Sequence, residues 1–225
     1  MSTVSVSSSE SFDKKKYPVL ITIVFFLITT YISFFHHGFW TIFDQDGLFY
    51  LSAGRQIIVG VGENVSLLNA GPAGPVLFAS LESVLKDGLF AIKIISLLSG
   101  TGIVFFSYMV FKNIFSTKIA LVGQLFIAFN PWLGILSTSP LNDLLPIFMS
   151  ILSFYFITKK DIKLIDVIFS ASILGIAFMF RAQPIVFLFA IIVFLIILRK
   201  KPRFKIFAVT PVSYTHLTLP TKRIV

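Results

Sequence analysis

Long apolar runs, separated by short charged segments, set the pattern of this chain. A helix needs about 20 apolar residues to cross the hydrocarbon core of a bilayer. On that measure, membrane spans are predicted at 17–35, 89–111, 119–136, 141–158, 164–180 and 184–198, and a seventh begins near Phe204. The stretch 72–85 is also apolar, but it is short and carries Glu82. A charged side chain at a helix centre costs about 2.5–3.5 kcal/mol on the insertion scale, so this stretch is read as a helix lying along the membrane surface.

The distribution of charge gives the orientation. If 72–85 does not span, 13 basic residues lie on the side of the N-terminus: Lys14–Lys16, Lys112, Lys118, Lys159, Lys160, Lys163 and the cluster from Arg199 to Lys205. Only 4, namely Arg55, Lys86, Lys93 and Arg181, lie on the other side or near its boundary. Short loops that keep Lys and Arg are cytoplasmic. The chain is therefore predicted to be an all-α, multi-pass protein of the cell membrane with about six to seven transmembrane helices. Residues 1–16 form a cytoplasmic tail and 17–211 the membrane domain. Residues 36–88 make one long outer loop bearing two surface helices.

Composition supports lipid as the solvent. Apolar residues make up 56% of the chain, charged residues 13%, and 27 of the 225 residues are Phe. A soluble domain carries roughly a quarter charged residues. The net charge of +9 comes from clusters between apolar runs, an orientation signal rather than a nucleic-acid face. The bilayer, not nucleic acid, is the expected partner. The absence of Cys excludes disulfides and thiolate chemistry.

The last segment, 212–225, departs from this pattern. It reads VSYTHLTLPTKRIV, polar and Thr-rich where a seventh span should continue. The string resembles a translated sequencing-library adapter. It is expected to be an artefact that interrupts a longer protein, whose visible N-terminal part would be inactive alone.

Acidic residues gather on the outer side: Asp44, Asp46, Glu63, Glu82, Asp87 and Asp143. A long ordered loop between helices is usually functional. Asp46 heads a helix expected to start near Gly47, followed by Tyr50 and Arg55. Asp46 suits either of two roles, an N-cap or a carboxylate that takes a proton from an acceptor nucleophile. Asp44 is the second available carboxylate. Asp143, at the outer mouth of a span, reads either as a helix cap near Pro140 or as a substrate contact. Arg181 either snorkels to the interface or meets a phosphate. Lys93 reads as a snorkelling residue. His36 and His37 are adjacent on a helix and poorly placed to share an ion. They read, with Trp40, as interface residues.

The order Asp46, Tyr50, Arg55, then Asn69-Ala70-Gly71-Pro72-Ala73-Gly74-Pro75, resembles the first outer loop of GT-C glycosyltransferases. It is similar to the lipid-phosphate-sugar-dependent group that includes protein mannosyltransferases, aminoarabinose transferases and Rgt-type sugar transferases. Phe129-Asn130-Pro131-Trp132 with Asp143, and the stretch from Gly175 to Arg181, are similar to later outer turns of that group. The resemblance implies a transferase moving a sugar from a polyprenyl-phosphate donor to an acceptor at the outer face. Asp46 or Asp44 would be catalytic, with Tyr50, Arg55, Asp143 and Arg181 binding substrate. The family often has Glu directly after the Asp, where this chain has Gly47, and Lys before the Pro pair, where it has Ala70-Gly71. The donor phosphate then needs another cation, for which Arg55, Lys86, Lys93 and Arg181 are available. No metal-ligand set is assigned, and a divalent-metal requirement stays open. The alternative is a transporter or flippase of lipid-linked saccharides. Transporters place ionisable residues near the bilayer midplane, whereas the charges here sit at the span edges.

Overall fold

The computed structural model describes residues 16–36, 44–60 and 71–197. Among the described residues every regular element is a helix: α1 (Lys16–Phe35), α2 (Asp44–Val59), α3 (Ala73–Leu85), α4 (Gly88–Ile114), α5 (Thr117–Ala128), α6 (Pro131–Thr138), α7 (Leu144–Thr158), α8 (Leu164–Phe180) and α9 (Ile185–Ile197). The tail 1–15, His37, Trp40 and the segment 198–225 lie outside the described residues.

Each of the six predicted spans from 17–35 to 184–198 has a helix at its position, but not every helix is a straight span; the seventh, near Phe204, lies outside the described residues. α1 and α4 are long and apolar enough to cross a membrane. α5 and α6 together pass the same test only as a pair bent by 57°. The predicted single span 119–136 is thus broken. The break lies at Phe129-Asn130-Pro131, because proline cannot continue the hydrogen-bond ladder of α5. Pro131 instead opens α6, where Asn130 Oδ1 caps the backbone N–H groups of Trp132 and Leu133. The predicted span at 141–158 becomes helical only at Leu144, since 139–143 form an extended turn. α7, α8 and α9 are shorter apolar helices. Helix α3, 13 residues long, reaches about 20 Å at 1.5 Å per residue and falls short of a core about 30 Å thick. That agrees with its reading as a non-spanning helix.

Large apolar side chains face outward along α1, α5, α8 and α9, as lipid-facing surfaces do, while small residues carry the helix contacts. A Cβ on Gly100 would collide with the Ser137 side chain, one on Gly102 with Phe148, and one on Gly123 with Phe111. Small residues at such crossings let backbones approach without the hydrophobic driving force that water supplies. Between α7 and α8, Ser153 Oγ donates to the Ser170 carbonyl at 2.8 Å and Ser170 Oγ to the Ser153 carbonyl at 2.9 Å. The α7–α8 connection is closed by Lys159 Nζ on Asp166 Oδ1 at 2.7 Å.

The core comprises three apolar clusters. Phe25, Ile103, Val104, Leu133 and Leu144 join α1, α4, α6 and α7. Ile157, Val167, Leu174 and Ile191 join α7, α8 and α9. Tyr50, Leu51, Phe78 and Ile92 seat α2 and α3 against the start of α4. This last cluster positions the site.

Candidate active site

Helix α2 starts at Asp44, three residues before the predicted start. Asp46 therefore sits within the first turn rather than at the helix cap, where negative charge complements the helix dipole. The side chains of Asp44 and Asp46 lie outside the described part of the structure. One face of α2 is buried: Gly47, Tyr50, Leu51 and Gly54, spaced as one helix side. Both glycines are there because backbone presses on them. A Cβ on Gly47 would meet the Pro140 carbonyl, and one on Gly54 the Pro75 carbonyl of α3. The first contact places the acidic end of α2 against the turn that leads into α7. Ser52, Arg55 and Gln56 are exposed on the opposite face, and Phe49 is exposed as well.

Asp143 occupies the N-cap position of α7, yet its side chain makes no capping hydrogen bond. Its carboxylate is instead ion-paired with the Arg181 guanidinium. The capping alternative is thereby ruled out by geometry. Arg181 follows the last turn of α8 and is in extended conformation. Its Nη2 donates to Tyr50 Oη at 3.5 Å, so one guanidinium joins α2, the α6–α7 turn and the end of α8. Each member of the Arg181–Asp143 pair keeps about a fifth of its side chain exposed, 21% and 19%. The pair is recessed without being sealed. Arg181 does not simply snorkel outward, and its charge already has a partner.

Behind the pair lies a buried polar joint. The Phe180 carbonyl, which has no helical acceptor role left at the end of α8, accepts from Gly71 N–H at 2.9 Å and from Asn142 Nδ2 at 3.4 Å. Asn142 is fully buried and packs on Gly74. A Cβ on Gly71 would strike the Met179 carbonyl. The glycines of Gly71-Pro72-Ala73-Gly74 therefore let the entry to α3 close on both turns. Sequence inspection marked this stretch as a motif but not Asn142, which has no distinguishing spacing.

Arg55 is held apart from this cluster. Its Nε donates to Glu82 Oε2 at 2.7 Å, and its Nη2 pairs with Glu82 Oε1, giving a two-point contact between α2 and α3. The Arg55 guanidinium holds the Glu82 carboxyl below its ordinary range, and Glu82 raises that of Arg55. Beside them a cavity of about 470 Å³ is lined by Arg55, Ile58, Val59, Ala79, Ser80, Glu82 and Ser83. The structure brings Tyr50, Asp143 and Arg181 together and sets Arg55 on the far face of α2.

No three metal-ligating side chains come together among the described residues. Tyr50, Asp143 and Arg181 thus form one partly open polar cluster beside the turn on which Gly47 packs. Residues 69–219 match the model of the dolichyl-phosphate-mannose-protein mannosyltransferase family. The chain belongs to this family. It is a membrane glycosyltransferase of the GT-C type. No curated protein and no solved structure matches it. The family match takes in Gly71, Gly74, Asn142, Asp143 and Arg181, whereas Asp44, Asp46, Tyr50 and Arg55 precede it. For a mannosyltransferase-family chain, packing thus joins the matched region to the acidic loop before it.

Proposed function

We propose that the protein transfers a sugar from a polyprenyl-phosphate donor to an acceptor at the outer face of the cell membrane, with its N-terminus in the cytoplasm. The observation that carries this reading is the packing of Gly47 on Pro140, which brings the first turn of α2, with Asp44 and Asp46, beside the Asp143–Arg181 pair. Asp46 orients the acceptor and accepts its proton. The acceptor oxygen or nitrogen attacks the anomeric carbon of the sugar. The bond from that carbon to the phosphate oxygen breaks, and the electron pair leaves on the polyprenyl phosphate. Asp44 is the secondary carboxylate. Tyr50 and Asp143 bind substrate at the recess, and Arg181 holds them in register. Arg55 shapes the outer rim of the loop through Glu82.

The lipid tail is accommodated between spans, where an apolar groove of about 380 Å³ runs between α1 and the α5–α6 bend. The flippase reading gains nothing from the family match. The test is transfer of radiolabelled sugar from a polyprenyl-phosphate donor by the protein in membrane vesicles. Labelled acceptor is expected. Movement of the intact lipid-linked sugar across the bilayer without transfer would replace the enzyme by a flippase.

A further inference from the structure

A departing polyprenyl phosphate needs a cation, and the two arginines nearest the loop are already committed. Arg55 makes a two-point pair with Glu82, and Arg181 is paired with Asp143. Two lysines remain on this side. Lys86 is exposed and ends α3 in the left-handed conformation, φ 62°. Lys93 differs. It is half-buried in the second turn of α4, and no carboxylate lies within ion-pair distance of it among the described residues.

The register of α4 shows where Lys93 faces. Gly100, seven residues on, lies on nearly the same side of the helix. It packs against Ser137 and Leu144. Ser96, three residues on, donates its hydroxyl to the Leu141 carbonyl at 3.1 Å. Lys93 therefore continues, about 4.5 Å further towards the loop, the stripe that touches the turn 139–143. On its other flank the Phe90 ring meets Phe34 at the end of α1, with ring centres 5.6 Å apart and planes tilted by 53°. Ser33 donates to the Thr138 carbonyl at 3.4 Å. Lys93 thus lies on the side of α4 that faces the end of α1 and the turn 139–143, the turn on which Gly47 of α2 packs through Pro140. A half-buried ammonium with no carboxylate partner among the described residues is complementary to an anion.

We infer that Lys93 binds the phosphate of the lipid-linked donor and holds it as the leaving group. This rests on the polyprenyl-phosphate reading above. It assigns a cation for the leaving phosphate to the second turn of α4. A lysine suits the role as a compact charge at the end of a flexible stem, able to follow the phosphate as the bond to sugar lengthens.

The test is equilibrium binding of farnesyl phosphate and of farnesol to the whole protein in detergent micelles. Wild type should prefer the phosphate. Lys93→Met keeps the stem, removes a charge from an apolar helix and so should insert at least as readily. It should cut that preference about ten- to a hundredfold, while Lys93→Arg should keep most of it. In turnover with a lipid-linked sugar, Lys93→Met should raise KM for the donor. An unchanged KM for a water-soluble acceptor analogue would show that the effect is local. If Lys93→Met keeps the full preference, Lys93 is not the phosphate cation, although the lipid-phosphate reading survives. If wild type shows no preference for farnesyl phosphate over farnesol, that reading itself fails. If inorganic phosphate displaces farnesyl phosphate at equal concentration, the site is one for free anions and the proposal falls.

Discussion

Asp143 is paired with Arg181 although it stands where an aspartate ordinarily caps its own helix. The α7 terminus thus forgoes a local hydrogen bond so that the carboxylate can reach the end of α8. That choice ties three chain segments to one charge, because Arg181 also donates to Tyr50. The pair is therefore a structural junction of α2, the α6–α7 turn and the end of α8.

Breaking the pair should therefore cost stability. Asp143→Asn and Arg181→Gln should each destabilise by about 1.5–3 kcal/mol, the range for hydrogen bonds to charged groups. The double variant should lose less than the sum, because neither charge is then left alone. Thermal unfolding in detergent measures this. Additive losses would mean that the two groups act independently.

Asp46→Asn should preserve folding and abolish sugar transfer. Asn keeps the size of the side chain but cannot take the proton, and general-base catalysis contributes about 10²–10⁴-fold. Asp44→Asn should do less. An active Asp46 variant beside a dead Asp44 variant would move the catalytic role to Asp44.

Gly54→Ala should loosen the loop. The added methyl would meet the Pro75 carbonyl and the Ala79 side chain, and backbone cannot step aside as a flexible side chain can. Overpacking of this kind costs about 1–3 kcal/mol. Hydrogen exchange should show faster opening of α2 and α3 together, with α7 and α8 unaffected. Unchanged protection in α2 would argue against the close crossing.

The Arg55–Glu82 contact should be pH-sensitive in one direction. Glu82 is held below its ordinary range, so its contribution is present above the unfolded carboxyl pKa and is lost as pH falls through the lower folded value. At neutral pH the contact is intact. Cross-linking between cysteines placed at Ile58 and Ser83 should change only in acid, and Glu82→Gln should remove that dependence. Arg55 is 58% exposed on its side chain, so high salt should weaken the contact as well.

Topology can be read with single cysteines, since the chain has none of its own. Cysteines at exposed Val84 and Asp161 should label from the outside and the inside respectively with an impermeant thiol reagent. Labelling of both from one side would overturn the orientation.

Much of this architecture was legible in residue order alone. Helical class, lipid as solvent and the short helix that does not span follow from local quantities, apolar run length and charge between runs, whereas the break at Pro131 inside the predicted span 119–136 appeared only in the structure. The resemblance around Asp46, Tyr50 and Arg55 pointed to the family that the match at 69–219 shows. What residue order could not decide was partnership. Asp143 had a local cap as its simplest role, and Arg55 shared the Asp46 motif. Yet Asp143 reaches Arg181, and Arg55 turns to Glu82. Tyr50 and Arg181 meet across 131 residues. These contacts depend on how closely helices approach at Gly47, Gly54, Gly71 and Gly74. The close approach comes from tertiary packing between backbones, and no periodicity along a single helix encodes which carbonyl a missing Cβ makes room for.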